Sequence, residues 1–339
     1  MSTWQISYIQ MPARHKRTLL LLAGLTVLAA ALSLAAGPVV LSPGELWAAL
    51  IGRSCGTAGT ILLHIRLPRT CACLLAGAAL AASGAIIQSV LANPLAAPNI
   101  IGVNAGAGLM VALACALAPT ALALTPVLAF LGAMAGVLLV LAIARRTGAS
   151  RLTVALAGVA VSSVFNAGID AVVTFVPDTL NSYADFRVGS LANLTLDRIL
   201  PAGALIVIAL ILALTLAGEM DVLLLGEDVA RSLGLNAGRI RMVLLAVAAA
   251  LAGAAVSFAG LLGFVGLIIP HMARRLVGED SRPLLTASAL GGAALLTICD
   301  LLSRLLFAPY ELPVGVVLSL GGGPFFLWLL LKQRGGRTP

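Results

Sequence analysis

Three ionisable side chains lie within long apolar stretches of this 339-residue chain: Asp170, Asp300 and Arg304. A charge inside a bilayer is costly and usually marks function, such as a proton relay or an ion site. Asp300 and Arg304 stand four residues apart, so on one helix they share a face and can pair with each other. Asp170 then remains without a partner, and a single such group is few for a carrier driven by protons or sodium.

The sequence motifs typical of catalysis or nucleotide hydrolysis are missing. The two lysines, Lys16 and Lys332, cannot form a phosphate-binding loop of the Gly-x-x-x-x-Gly-Lys-Ser/Thr type. There is no Ser/His/Asp set, no His-Glu-x-x-His motif and no pair of intramembrane carboxylates. The five cysteines and three histidines do not follow the spacing of zinc ligands. We therefore predict no catalytic residue, no bound metal and no cofactor.

The composition predicts an integral membrane protein. Hydrophobic residues make up 60% of the chain and charged residues 10%, and the mean hydropathy is +1.09. Because lipid offers no partner for backbone groups, and the apolar runs do not alternate as barrel strands do, the fold class is all-α and polytopic. We predict one membrane domain over 19–331, with tails at 1–18 and 332–339. Its ten spans are 19–36, 70–92, 99–118, 121–144, 152–176, 199–217, 242–258, 259–273, 284–308 and 312–331, of which 259–273 is the weakest.

Basic residues predict the orientation of the chain, since they accumulate on the cytoplasmic side of a membrane. With both termini inside, 15 of the 21 Lys and Arg residues fall in cytoplasmic segments. The outer segments and span ends then keep Arg53, Arg66, Arg69, Arg187, Arg198 and Arg304. The net charge of +8 is thus a topological signature, and no nucleic-acid partner is implied. The alternative of a cleaved signal peptide at the N-terminus would disturb this agreement.

One sequence pattern occurs twice, 176 residues apart. Residues 75–102 read LAGAALAASGAIIQSVLANPLAAPNIIG, and residues 251–278 read LAGAAVSFAGLLGFVGLIIPHMARRLVG. Internally duplicated bundles are common among transporters, although a chain rich in Gly and Ala also produces such matches by chance. Five spans separate the copies, so they are predicted to run in opposite directions. This arrangement also suits an ion-driven secondary carrier, which remains the alternative class of function.

The loop 218–241 is predicted to lie on the cytoplasmic side and to contain a short helix. Gly226 precedes Glu227 and Asp228, acidic residues that a helix N-terminus favours, and Gly234 follows as a left-handed helix stop. A surface helix of this kind is what a separate motor subunit would grip. A plain solvated connector is the alternative.

Several stretches together resemble the permease subunits of ATP-binding-cassette importers for iron-siderophores, haem and vitamin B12, the iron-chelate and cobalamin permease (FecCD-type) family. They run in the family's order, from about residue 60 to 330. The stretches are RLPR at 66–69, GAALAASGAIIQ at 77–88 ending in NPLA at 93–96, LGEDVARSLGLN at 225–236, GFVGLIIPHMARRLVG at 263–278, DLLSR at 300–304, and ELPVG at 311–315 through GGGPFF.

The resemblance implies a type II ABC importer permease fold, a homodimer with the pathway along its two-fold axis, and location in the cell inner membrane. Two ATPase subunits would dock below, and a periplasmic or lipid-anchored binding protein above. The cargo would be an iron chelate, with cobalamin as the alternative. ATP hydrolysis would belong to the separate ATPase chain, and this chain would not be an enzyme.

The resemblance also assigns roles to residues. Arg66, Arg69 and Arg304 would meet acidic residues of the binding protein as exposed guanidinium groups; interfacial snorkelling and the local pair with Asp300 are the alternatives. Asn93 and Leu95 would form a cytoplasmic gate, unless NPLA is an ordinary proline turn. The ATPase coupling residues would be Gly226, Glu227, Asp228, Arg231 and Gly234. Ser162, Ser163, Asn166 and Asp170 would line the pathway, unless they only bond between helices.

The outer loop departs from the family's pattern at one position. Where many members carry a tryptophan before Gly-Ser-Leu, this chain has Phe186-Arg-Val-Gly-Ser-Leu191. Any contact made by that ring is therefore in question here.

Overall fold

A computed structural model describes residues 13–51, 56–120, 122–147, 150–308 and 310–334. In this part of the chain the secondary structure is helical, without β-strands. Most of the predicted N-terminal tail and the last five residues, with Arg53, Cys55 and Arg337, lie outside the described residues. The α-helices are α1 (Ala13–Ala35), α2 (Pro43–Leu50), α3 (Thr57–Thr60), α4 (Leu67–Val90), α5 (Val103–Leu117), α6 (Thr125–Arg146), α7 (Arg151–Phe175), α8 (Thr179–Val188), α9 (Leu196–Thr215), α10 (Ala217–Leu224), α11 (Glu227–Ser232), α12 (Ala237–Ala259), α13 (Val265–Val277), α14 (Ser281–Leu305) and α15 (Val314–Arg334).

The ten helices α1, α4 to α7, α9 and α12 to α15 coincide with the ten apolar runs of the sequence. Among the described residues, seven are long and apolar enough to cross a membrane, and α5 and α15 are shorter apolar helices. The interpretation of 259–273 as a full span is wrong. Helix α13 has 13 residues, about 20 Å at 1.5 Å per residue, which is less than the ~30 Å hydrocarbon layer.

Helices α4 and α12 form the centre of the bundle. Of an 18-residue apolar stretch in each of these two helices, 78% is buried inside the protein, whereas in α1 the buried share is 11%. Helix α4 packs against α14, α12, α13 and α9. A π-helical stretch, Ile61–Arg66, joins α3 to α4, so one continuous helix runs through Thr57–Val90.

Small residues bring the helix backbones together, as is usual in membranes. An added Cβ on Gly84 of α4 would lie 1.8 Å from the carbonyl oxygen of Gly266 in α13. At Gly77 of α4 it would lie 2.2 Å from the carbonyl oxygen of Gly292 in α14. These contacts leave no room for a side chain, so Gly77 and Gly84 of the first repeat copy are packing residues.

The two repeat copies run in opposite directions, as predicted. Helices α4 and α14 are antiparallel, because Arg69 meets Asp300 and Gly77 meets Gly292. The start of α12, through α10 and α11, lies at the same end as the start of α14, where the Ser281 amide donates to Asp221. Helix α12 therefore runs opposite to α4. The copies differ locally: Pro94 lies in a turn between helices, and Pro270 lies within α13.

We call the end of the bundle that holds Asp300 the ion-pair end, and the opposite end, with α10 and α11, the loop end. Helices missed by the sequence analysis include α2, which a Ser42–Glu45 capping box starts, and α8. Both lie near the ion-pair end. Each is much shorter than the roughly 20 apolar residues by which a membrane span is identified in a sequence.

Candidate functional site

The ion-pair end contains a buried charge cluster centred on Asp300. This carboxylate is fully buried and accepts hydrogen bonds from Nε of Arg69 at 2.9 and 3.1 Å. Nε of Arg304 lies 3.1 Å from Oδ2 of Asp300, the oxygen that Arg69 contacts at 3.1 Å. Nη1 of Arg69 also bonds Glu311 at 2.6 Å. The cluster therefore joins α4, α14 and the segment before α15. The predicted Asp300–Arg304 pair is confirmed, with Arg69 as a third member.

Two more contacts tie this cluster to α1. Nη2 of Arg304 donates to Oγ of Ser33 at 2.8 Å, and that hydroxyl also bonds Thr70 of α4 at 2.8 Å. Arg66 donates through Nη1 to the carbonyls of Leu34 and Ala35 at 2.8 and 2.7 Å. These carbonyls have no intrahelical donor at the end of α1. Arg66 therefore completes the C-terminal turn of α1.

The expectation of exposed guanidinium groups at Arg66, Arg69 and Arg304 is wrong. Their residues are 3%, 7% and 3% exposed. Each is committed to partners within the chain, because a buried charge without partners is costly. Their docking role stays a prediction, and the partly exposed member of the cluster is Glu311, whose side chain is 37% exposed.

At the loop end, the predicted short helix is confirmed as α11. It begins after Gly226 (φ +108°) and ends in a Schellman motif, in which the Gly234 amide donates to Arg231 and the Leu235 amide to Ala230. Gly234 has φ +80°, a conformation that side chains rarely adopt. The Asn236 side chain then caps α12 by accepting from the Arg239 amide at 3.0 Å.

An ion pair between Arg241 and Glu227 anchors helix α11 to the membrane bundle. Arg241, buried at the start of α12, donates to Glu227, which also lies 3.7 Å from Arg231. The hydrogen bond from Arg241 is the main reason why the pKa of Glu227 lies below its ordinary value. Ala230 is buried, whereas Asp228, Arg231 and Gly234 face outward. Helix α11 is thus held to the bundle through Glu227 and exposed at its C-terminal end, which suits an element that transmits force.

Asn93 and Leu95 lie in a tight turn at the same end. The Asn93 side chain accepts from the Leu95 amide at 2.9 Å, and its carbonyl accepts from Ala96 at 3.0 Å. This Asx turn follows Ala92, whose φ of +46° is uncommon for a residue with a side chain. Both Asn93 and Leu95 are exposed, and Asn93 lines a cleft beside Arg151 at the start of α7. The turn is thus available to a second protomer.

Gln88 is a buried polar residue whose structural role the sequence analysis missed. Its amide donates at 3.3 Å to the carbonyls of Gly266 and Leu267 in the first turn of α13. Pro270 has no N–H, so the Gly266 carbonyl lacks its usual helical donor, and Gln88 replaces it. Arg274, further along α13, donates to the Gln88 oxygen and, at 3.2 Å, to Ser89. The sequence did contain a signal for this contact, since Pro270 follows Gly266 by four residues and leaves the Gly266 carbonyl without a helical donor.

The predicted pathway residues lie along α7. Ser163, Asn166 and Asp170 are exposed on the isolated protomer, and Ser162 is partly buried. The Ser163 hydroxyl bonds back to the Val159 carbonyl at 2.9 Å, and Asp170 has no ion-pair partner in the described part of the chain. A polar row on an open face of a membrane helix indicates a water-filled or subunit-facing surface.

Backbone contacts connect the outer loop to the bundle. The Leu261 amide donates to the Phe186 carbonyl at 2.9 Å, and the Gly315 amide to the Gly189 carbonyl at 3.1 Å. The Phe186 ring packs near Tyr183, with ring centroids 6.2 Å apart. The link to the turn between α12 and α13 thus depends on the backbone of residue 186 and not on its ring.

In the described part of the chain, ten apolar helices, of which α13 is only half as long as a span, and an anchored surface helix fit a polytopic transport permease of the ABC importer type. The FecCD transport family model matches residues 25–332, and the chain belongs to this family. The hemin transport system permease protein HmuU of Yersinia pestis is 40% identical over 285 residues, covering 82% of this chain and 85% of HmuU. The Fe(3+)-citrate import system permease protein YfmE of Bacillus subtilis is 36% identical, covering 94% of this chain and 96% of YfmE.

A solved structure supports the same fold. A metal-chelate type ABC transporter in an inward-facing conformation matches with a TM-score of 0.84 and 28% identity, covering 94% of this chain and 99% of that chain. The Fe(3+) dicitrate transport system permease protein FecD of Escherichia coli is 38% identical, covering 81% of this chain and 86% of FecD. This chain is therefore a permease subunit of the FecCD family, and the secondary-carrier alternative is not supported.

Proposed function

We propose that the chain forms a homodimer in the inner membrane and imports an iron chelate, haem or iron-citrate being the first candidates. The family match over nearly the whole chain carries this proposal. The relatives named for hemin and Fe(3+)-citrate support the cargo class. The polar row of α7 would face the pathway between protomers, with Asn93 and Leu95 at its cytoplasmic end. Cobalamin remains the second candidate cargo.

The partners follow from the two ends of the bundle. An ATPase subunit would grip α11 at the loop end. We place this end and both termini on the cytoplasmic side, because 15 of the 21 basic residues belong to the sequence segments that this orientation puts inside. A substrate-binding protein would dock at the ion-pair end. A carboxylate from that protein would compete with Glu311 for Arg69, because Glu311 is the accessible member of the cluster.

Reconstitution of the full transporter tests this function. We expect proteoliposomes containing the permease, its ATPase and its binding protein to accumulate haem or ferric citrate when ATP is present. Vanadate should abolish this uptake, and an uncoupler should leave it unchanged, because ATP hydrolysis and not an ion gradient would drive transport. Uphill accumulation by the permease alone would contradict the proposal. Uptake of cobalamin only would overturn the cargo assignment and leave the class intact.

Replacing Gly234 by valine should uncouple ATP hydrolysis from transport. The β-branched residue cannot adopt φ +80° without strain of about 1–3 kcal/mol, so the end of α11 must rearrange. We expect uptake to fall at least about tenfold while the ATPase still hydrolyses ATP. Gly218 to valine is the matched control, since an added Cβ there meets no atom within 4 Å and no positive φ is required. Equal uptake by both variants would remove the coupling role from α11.

A further inference from the structure

A groove of about 330 Å³ lies near the ion-pair end, on the outside of the bundle. Helices α6 and α9 flank it and both pack on α12, which forms its floor. Its walls are mostly apolar and include Pro126, Val127, Phe130, Ala202, Leu205 and Ala254. The apolar side chains of Leu131, Leu200 and Ile208 are exposed on the same two flanking helices. In a membrane, an exposed apolar surface of this kind faces lipid.

Two opposite charges stand at one end of this groove. Asp197 and Arg198, in the first turn of α9, both line it and both are exposed. Neither side chain has an ion pair or a hydrogen bond within the described part of the chain, in contrast to the buried cluster of Asp300. The groove thus combines apolar walls with an acidic and a basic side chain at one end, neither of them paired within the described part of the chain.

A backbone acceptor adds to this polar end. Pro201 lies inside α9 and lines the groove. Because proline has no N–H, the carbonyl of Asp197, four residues earlier, lacks its usual helical donor. The polar end therefore offers a guanidinium donor, a carboxylate and a carbonyl without its i+4 amide donor.

We propose that this groove binds a phospholipid of the phosphatidylethanolamine type, with one acyl chain along the apolar walls. The lipid phosphate pairs with the Arg198 guanidinium, which suits phosphate geometry. The ethanolamine ammonium donates to the Asp197 carboxylate and carbonyl. A choline headgroup has no N–H to donate, and a glycerol headgroup brings no cation for Asp197. The complementary charges therefore select a zwitterionic headgroup that can donate hydrogen bonds.

Native mass spectrometry of the purified full chain tests this site. The protein is equilibrated in detergent micelles holding equal amounts of phosphatidylethanolamine, phosphatidylcholine and phosphatidylglycerol with identical acyl chains, and the retained lipid is counted. We expect phosphatidylethanolamine to be retained preferentially. Arg198→Gln and Asp197→Asn should each lower its retention about three- to five-fold, as for loss of a solvent-exposed ion pair. Ala202→Trp, which fills the groove, should remove it.

Arg187→Gln is the matched control, because Arg187 is exposed near the same end but does not line the groove. This variant should retain the lipid as the wild type does. Millimolar glycerophosphoethanolamine, which has the headgroup without acyl chains, should not displace the lipid. Equal retention of the three lipids, equal loss in Arg187→Gln and Arg198→Gln, or displacement by the free headgroup would each overturn the proposal.

Discussion

The variant Asp300→Asn is expected to lose much of the stability of the bundle. Asp300 is fully buried and bonded to Arg69 and Arg304, so neutralising it leaves two guanidinium groups with a single, partly exposed carboxylate. Removal of one partner from a buried pair costs about 3–5 kcal/mol. We expect the apparent unfolding temperature in detergent to fall by roughly 5–15 °C, measured by thermal denaturation with tryptophan fluorescence.

Glu311→Gln provides the control for this experiment. Its ion pair with the same Arg69 is partly solvated, since the Glu311 side chain is 37% exposed. Such pairs contribute about 0–1 kcal/mol, so this variant should shift the transition by only a few degrees. Equal shifts in the two variants would show that Asp300 is not the centre of the cluster. The double variant Asp300→Leu with Arg304→Leu should lose less stability than the sum of the losses in the two single leucine variants, because the two residues are in contact.

The variant Gly84→Val is expected to prevent assembly of the native bundle. The Cβ position of residue 84 lies 1.8 Å from the Gly266 carbonyl oxygen, and both groups belong to backbones that cannot rotate away. Helices α4 and α13 would have to separate, which also breaks the Gln88 bonds to α13. The cost should exceed the ~1–3 kcal/mol of ordinary core overpacking.

The measurement is the fraction of membrane-inserted protein that elutes as a single species in size-exclusion chromatography. Gly24→Val is the matched control, because Gly24 lies in α1 and a Cβ there meets no atom within 4 Å. We expect Gly24→Val to behave as the wild type and Gly84→Val to aggregate or be degraded. Normal elution of Gly84→Val would mean that the close approach of α4 and α13 is not needed for folding.

Much of the fold was predictable because a bilayer imposes length and hydrophobicity on each span. The ten apolar runs correspond to ten helices, and the glycine signals located α11 to within a residue. The failures were local. Helix α13 is short because the chain turns at Gly260 to Phe264 inside the bundle, and hydropathy does not distinguish a buried half-helix from a span.

For the candidate site, residue type was predictable and environment was not. The motif RLPR and the residues Asp300 and Arg304 were identified as important, but their arginines were expected at the surface. The partner of Arg69 lies 231 residues away and that of Arg66 about 30 residues away. Gln88 was missed for the same reason, since its partner carbonyls on α13 are 178 and 179 residues distant.

The amino-acid sequence by itself determined the all-α membrane class, the number of apolar runs, the opposed repeat copies and the capped surface helix. These depend on hydropathy and on local backbone preferences, which act over a few residues. The tertiary structure decided which charges are buried, which glycines serve as helix contacts and which faces stay open. Such properties depend on groups brought together from distant parts of the chain, where the free energy of burying a charge or a backbone contact is set by the partner it meets.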